Sequence, residues 1–257
     1  MSAMSLTVTV LGCSGTYPDA GGACSGYLVR SGTTSVWLDT GPGTLANLQR
    51  HVALTDLDAV IVSHAHPDHW LELPVLRNAL KYGLGLGDRL LPTYGTQETH
   101  DLLTAVVGRS HGGVAPTLDW HTITDRQRIE VGDLTVSFSR TDHPVETLAM
   151  RFDLDGRSLG YSADTGPGWS LSEFAGLGAK GPVDLALCEA SLDRSQERTV
   201  QHLSARQAGA SARAANAGRL VLTHLVPGRD PDTARAEATA MFDGPIDVAA
   251  VGVTYEA

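Results

Sequence analysis

Residues 60–69 read Val-Ile-Val-Ser-His-Ala-His-Pro-Asp-His. An apolar run that closes on three imidazoles and a carboxylate can fold in few ways. The apolar residues call for a buried strand, and the polar ones for a rigid loop at its end, where they can gather around a divalent cation. A lone histidine in such a place is usually an ordinary core or surface residue. His64, His66, Asp68 and His69 together leave little room for that bland reading, a polar loop after a strand.

Such a centre needs ligands from distant parts of the chain, and three further candidates each follow a strand-like run. His143 lies in Ser-Arg-Thr-Asp-His-Pro, after the β-like run at 134–138. Asp164 lies in Tyr-Ser-Ala-Asp-Thr-Gly-Pro, after a strand that leaves a hairpin turn at Asp155-Gly156. His224 closes Arg-Leu-Val-Leu-Thr-His, the same order of strand, hydroxyl and histidine that precedes His64. Taken singly, each could be a turn residue, but in this order they support one another.

The rest of the chain is expected to supply one α/β domain over residues 1–257. Strand signals at 7–11 and twice within 25–39 alternate with helical ones at 44–54, 72–82, 97–107 and 204–217, without tandem repeat or low-complexity linker. Ser204 is placed to cap the last of these, and Gly218 to stop it. No apolar stretch approaches the roughly 20 residues that cross a bilayer, and the first residues lack a basic leader, so a soluble cytoplasmic protein is expected. Cys13, Cys24 and Cys188 are odd in number and widely spaced, which argues for reduced, structural thiols. The formal net charge is −10 and basic residues form no stripe, which makes a large nucleic acid a less natural partner than a small substrate.

The H-x-H-x-D-H segment, with His143, Asp164 and His224 in this order, resembles the metallo-β-lactamase superfamily, and the resemblance runs over nearly the whole chain. It implies an αββα sandwich, with a site between two similar halves and two divalent metals. His64, His66 and His143 would hold one metal and Asp68, His69 and His224 the other, with Asp164 bridging. Zinc is the default, and Mn²⁺ or Fe²⁺ would suit the same donors. An aspartate at 164, where the resistance lactamases carry cysteine, points to the phosphodiesterase branch that includes tRNase Z. Cys188-Glu-Ala-Ser191 is similar to that branch's H-E-A-T loop and His202-Leu-Ser204 to its H-S-T loop. Cys188 stands where the branch has histidine, which bears on how Glu189 is oriented. Glu189 alone would be an ordinary strand-end carboxylate, and His202 an ordinary histidine at a helix start.

Only residues 144–163 separate His143 from Asp164, and a hairpin uses them, so the long tRNA-gripping arm of tRNase Z has no place there. Together with Leu-Gly-Cys-Ser-Gly at 11–15, Gln-Arg-His at 49–51 and Phe-Asp-Gly-Pro at 242–245, the pattern looks most like actinobacterial cyclic-nucleotide phosphodiesterases of the superfamily. The resemblance implies a small phosphodiester substrate, with 3′,5′-cyclic AMP the leading choice, and a possible homodimer. His202 would protonate the leaving oxygen while Glu189 orients it, and Asp68 would help hold the attacking hydroxide. A tRNase Z-like nuclease, a lactonase or thioesterase, and a non-catalytic binding module are the alternatives. The Gly-rich segment 12–16 reads as a turn lining the site, and His111 to Gly113 as a lip for substrate. His51, His100 and His121 match no metal motif, and Trp70 would either pack under the loop or stack on a base.

Overall fold

In the computed structural model the described residues are 5–84, 90–108, 113–114, 117–177 and 181–257. They form two seven-stranded sheets. The first contains β1 (Thr7–Gly12), β2 (Gly26–Arg30), β3 (Ser35–Leu38), β4 (Ala59–Ile61), β5 (Leu91–Gly95), β6 (Leu118–Thr122) and β14 (Thr254–Glu256), in the spatial order β14-β1-β2-β3-β4-β5-β6. The second contains β7 (Arg128–Val131), β8 (Leu134–Arg140), β9 (Leu148–Leu154), β10 (Arg157–Tyr161), β11 (Leu185–Glu189), β12 (Arg219–Thr223) and β13 (Ile246–Val248), in the order β13-β12-β11-β10-β9-β8-β7. Each sheet combines an antiparallel part with a parallel one: β3 to β6 in the first and β10 to β13 in the second.

Side-chain alternation explains the layering. In β4, Ala59 and Ile61 point between the sheets, where they meet Val8, Val36, Phe138, Met150, Phe152, Leu159, Leu187 and Val221. Val60 and Val62 point outward, into a layer with Trp37, Trp70, Leu73, Leu76 and Leu103. A strand buried on both faces reads as a continuous apolar run, as residues 60–62 do. The second sheet is covered the same way, its outer face meeting Ala205, Ala208 and Ala212 of helix α5 (Ala205–Ala214). Helix, sheet, sheet and helix layers therefore give the expected αββα sandwich. Each fully buried Leu, Val or Phe contributes about 1.5–3 kcal/mol relative to exposure.

The helices match their signals unevenly. α4 (Gln97–Val107) has the bounds expected from sequence. In α5, Ser204 caps the start and exchanges hydrogen bonds with Gln207, and the helix ends at Ala214, short of the expected 217. α1 (Thr44–Leu48) covers less than half of 44–54, and a separate 3₁₀ turn follows at Leu54–Asp56. Val52 and Leu54 are still buried, so the apolar spacing continues through a turn and mimics helix. The stretch 72–82 divides into α3 (Leu73–Asn78) and a π turn at Ala79–Gly83, and a separate short helix, α2 (Pro67–Trp70), precedes it in the metal loop. α6 (Pro231–Thr239) completes the outer layer of the second sheet. Among the described residues no helix is long and apolar enough to cross a membrane.

Candidate metal centre

All candidate side chains except His202, which lies between a 3₁₀ turn at Arg194–Gln196 and α5, are carried at or just past the ends of strands. β4 leads to His64, β8 to His143, β10 to Asp164 and β12 to His224, while Glu189 is the last residue of β11. Within the metal loop His66 is extended (φ −70°, ψ 139°), the conformation favoured before proline. Pro67 then opens α2, whose single turn carries Asp68 and His69 back over the site. Asp39 (φ 51°), Ala163 (φ 50°) and His224 (φ 57°) adopt left-handed conformations just past β3, β10 and β12. Each costs about 1–3 kcal/mol in a residue other than glycine, and such outliers cluster where the surroundings hold a functional geometry. Two true glycines permit close approach: a Cβ at Gly41 would lie 2.0 Å from the Asp68 carbonyl, and one at Gly15 2.6 Å from that of His224.

Two groups of donors result. One combines His64, His66, His143 and Asp164, and the other Asp68, His69 and His224, while an overlapping third set joins His202 to Asp164 and His224; within each, the donor atoms lie within 4.8 Å of one another. His66 Nδ1 is 3.1 Å from His143 Nε2. His224 Nε2 is 3.1 Å from Asp68 Oδ2 and 3.3 Å from His69 Nε2. Asp164 faces both groups, with Oδ2 3.6 Å from His64 Nε2 and Oδ1 3.3 Å from His69 Nε2. His64 Nε2 and Asp164 Oδ1 are buried and make no hydrogen bond. A buried polar atom without a partner is costly, whereas imidazole nitrogens and carboxylates converging from two sides are the donors that divalent cations take up. The residues fit a metal.

Two carboxylates organise the surroundings. Asp39 accepts the Ser63 N–H at 2.7 Å and the Ser63 hydroxyl at 2.9 Å, the His69 Nδ1–H at 2.8 Å, and the Tyr161 hydroxyl at 2.7 Å from the opposite sheet. Glu189 accepts the Thr165 N–H at 2.7 Å, the Ser191 hydroxyl at 2.8 Å, the His202 Nδ1–H at 2.9 Å and the Leu203 N–H at 3.2 Å. Ser63 Oγ lies 2.9 Å from His64 Nδ1, and Ser191 Oγ lies 2.8 Å from His224 Nδ1. His143 Nδ1 lies 3.1 Å from the Gln201 carbonyl. Thr16 donates its backbone N–H to Asp68 Oδ2 at 2.8 Å, so the loop at 12–16 lines the site as expected.

Burial disfavours charge at every group here, and the neighbours decide the outcome. It dominates at His64 and His143, whose pKa values are lowered, so both rings stay neutral with a lone pair to donate. At His69 the charges of Asp164 and Asp39 outweigh burial and raise the pKa well above the imidazole norm. That field welcomes positive charge, whether a proton or a metal ion supplies it. Burial also opposes ionisation of Asp68 and Asp164, yet the His224 and His69 rings hold both below the usual carboxylate range. At His202 burial is outweighed by the Glu189 hydrogen bond and charge, which push the pKa up to about 9. The His202 side chain keeps 20% exposure, against 0–3% for His64, His69, His143 and His224.

The structure thus brings together all nine residues singled out in the sequence, with His202 facing His143 and stacked on His224 at ring-centre distances of 5.2 and 5.7 Å. Trp70 packs beneath the metal loop and donates its indole N–H to the Ala65 carbonyl at 2.9 Å. His51, His100 and His121 join neither group, and the expected lip at 111–113 falls outside the described residues except for Gly113. Cys188 faces the outer apolar layer, on the opposite side of β11 from Glu189, so it does not orient that carboxylate. The three thiols are free, and burial pushes the Cys188 pKa up to about 12. Sequence reasoning missed Asp39, Ser63 and Ser191 as supporting groups. Asp39 carried a usable signal, a carboxylate directly after the apolar strand at 36–38, the logic already applied to Asp164.

Residues 34–225 match the β-lactamase superfamily domain. The chain is 34% identical to the probable metallo-hydrolase YhfI of Bacillus subtilis, over 98% of this chain and 100% of that one. The crystal structure of YhfI superposes with a TM-score of 0.87 at 32% identity, covering 98% and 100% of the two chains. Ribonuclease Z of Mycobacterium bovis is 30% identical over 95% of each chain. A diphosphatase of the PhnP family shares the fold at a TM-score of 0.74 and 19% identity, over 98% of each chain.

Proposed function

The chain belongs to the metallo-β-lactamase superfamily, and from that premise we propose that it is a phosphodiesterase for a small phosphodiester, 3′,5′-cyclic AMP or a related cyclic nucleotide. The observation that carries the reading is the Glu189–His202 pair, 2.9 Å apart beside the candidate ligands. An alkoxide leaving from phosphorus needs a proton, and an imidazolium held charged by a buried carboxylate is a donor suited to neutral pH. Lactones and thioesters make a weaker demand of this kind.

His64, His66 and His143 would hold one divalent cation and Asp68, His69 and His224 a second, with Asp164 shared; zinc suits the donors best, and manganese or iron also conforms. Bound there, such ions supply neutralisation of the phosphoryl charge and activation of the attacking water. The chain's own groups do the rest. Asp68, kept ionised and fixed by the Thr16 N–H, orients the nucleophile. His202 passes its Nε2 proton to the departing oxygen, and Glu189 keeps the ring turned and charged. The reading takes residues 1–257 as one cytoplasmic domain, alone or as a homodimer, acting on a dissolved substrate.

The identity to ribonuclease Z favours a second reading, a tRNA 3′-processing nuclease. Against it stand the net charge of −10 and the link from His143 to Asp164, which is only the hairpin of β9 and β10. A polyanion is drawn to a basic surface. The deciding assay offers metal-quantified protein both 3′,5′-cyclic AMP and a pre-tRNA with a 3′ trailer, with a chelator control. Chelator-sensitive release of 5′-AMP without trailer cleavage is expected; trailer cleavage without cyclic AMP turnover would replace this reading with the second. Asp164→Ala is expected to lose activity together with bound metal, and an unchanged metal content would refute the shared-ligand role.

A further inference from the structure

Ser63 and Ser191 occupy equivalent places in the two halves of the site. Each follows the end of its strand, hydrogen-bonds to a buried carboxylate and touches the Nδ1 of a candidate ligand. A hydroxyl has one hydrogen to give and two lone pairs to receive with. An ionised carboxylate only accepts. The hydrogen of Ser63 is therefore committed to Asp39, and that of Ser191 to Glu189 or to the His224 carbonyl at 3.1 Å, which also only accepts, so each oxygen can only accept from the imidazole beside it.

We infer that Ser63 and Ser191 are positioning residues that set the tautomer of His64 and His224, holding the proton on Nδ1 and leaving the Nε2 lone pair for metal. Among the described residues no other hydrogen-bond partner meets these two Nδ1 atoms. His69 gives its Nδ1 proton directly to Asp39, and His143 gives its own to the Gln201 carbonyl. For His64 and His224 the carboxylate stands one group farther away, and the serine hydroxyl carries its polarity across the gap. His66, which turns Nδ1 toward the cluster, lies outside the scheme. The two relays serve different donor groups: Asp39–Ser63–His64 acts on the group with His66 and His143, and Glu189–Ser191–His224 on the group with Asp68 and His69. Partners of this sort, which orient a ligating histidine, are worth about 10–100-fold in metal affinity.

The inference rests on the metal-centre reading above, and its test is made without substrate. Zinc affinity is measured by chelator competition for the wild type, Ser63→Ala, Ser191→Ala and Ser191→Thr, and the imidazole Nδ1–H signals of the zinc-loaded proteins are followed by ¹⁵N-edited NMR. Each alanine variant is expected to weaken zinc by about 10–100-fold at one donor group, and to speed solvent exchange of the matching Nδ1–H. Ser191→Thr, which keeps the hydroxyl, is expected to restore both, which separates the relay from a packing defect. Wild-type affinity and exchange in both alanine variants would overturn the inference alone. A wild type that binds no zinc, manganese or iron would overturn it together with the metal-centre reading.

Discussion

Asp39 and Glu189 stand at the ends of β3 and β11, one in each sheet, and gather four and five hydrogen bonds respectively from side-chain and backbone donors. Around Asp39 everything is sealed. Its partners lead to His69 directly, to His64 through Ser63, and to Tyr161 across the sandwich, all of them essentially shielded from solvent. Glu189 has the same equipment with one difference: His202 retains partial exposure at the mouth of the cluster. A buried carboxylate surrounded by closed partners acts as an anchor, because every proton it fixes is out of reach. Give one partner access to solvent and substrate, and the same carboxylate holds a proton where chemistry can use it.

The contrast breaks first at Asp39. Asp39→Ala is expected to release metal and abolish activity, and to lower stability by about 3–5 kcal/mol, the usual cost of removing one member of a buried charged pair; metal analysis and denaturant unfolding give the two readouts. An Asp39→Ala protein that keeps its metal would mean that the anchor lies elsewhere. The next largest effect is expected on the other side. His202→Ala should keep its metal but slow a poor leaving group by about 10²–10⁴-fold, the scale of general acid catalysis, while p-nitrophenolate departure suffers far less. Equal losses on both substrates would remove the proton-donor role.

A pH profile sharpens the comparison further. His202 is charged below its raised pKa of about 9, so activity should fall as the pH rises through that value. The raised pKa also stabilises the fold, fully below the ordinary imidazole value of 6.5, with the contribution lost as the pH climbs through about 9. In Glu189→Gln the alkaline limb of the rate should move down toward 6.5; an unmoved limb would mean that another group titrates. The smallest effect belongs to the residue next door. Cys188→Ala should cost about 1 kcal/mol in packing and leave rate and pH profile unchanged, because that side chain lies on the far face of the strand. A changed profile would show that the outer face of β11 does reach the site.

Much of this could be read before any coordinates. The strands at 7–12, 134–140 and 219–223 and the helix at 97–107 announce themselves by unbroken apolar runs or periodicity with caps. The candidate ligands stand out because histidine and aspartate are unusual immediately after such runs. Helix 44–54 misled because Val52 and Leu54 keep apolar spacing while the backbone turns. Its start is held from elsewhere, by Glu72 accepting the N–H groups of Gly43 and Leu45, and a contact across that distance has no periodic signature. Ser63 and Ser191 were illegible for a similar reason: a serine next to a histidine or a glutamate is unremarkable until the third partner is seen.

By itself the sequence determined the chemistry available to this protein: the set of donors, their order along the chain, and their attachment to strand ends. Those properties follow from residue type and from hydrophobic patterning, which are local. Only the tertiary structure decided which nitrogen of each ring faces the cluster, that Asp164 stands between both groups, and that Asp39 anchors one half while Glu189 holds His202 in the other. The deciding hydrogen bonds join residues as far apart as Asp39 and Tyr161, 122 positions, or Asp68 and His224, 156 positions. Tautomer and protonation depend on the partner within about 3 Å, and which partner that is becomes defined when the two sheets close on one another.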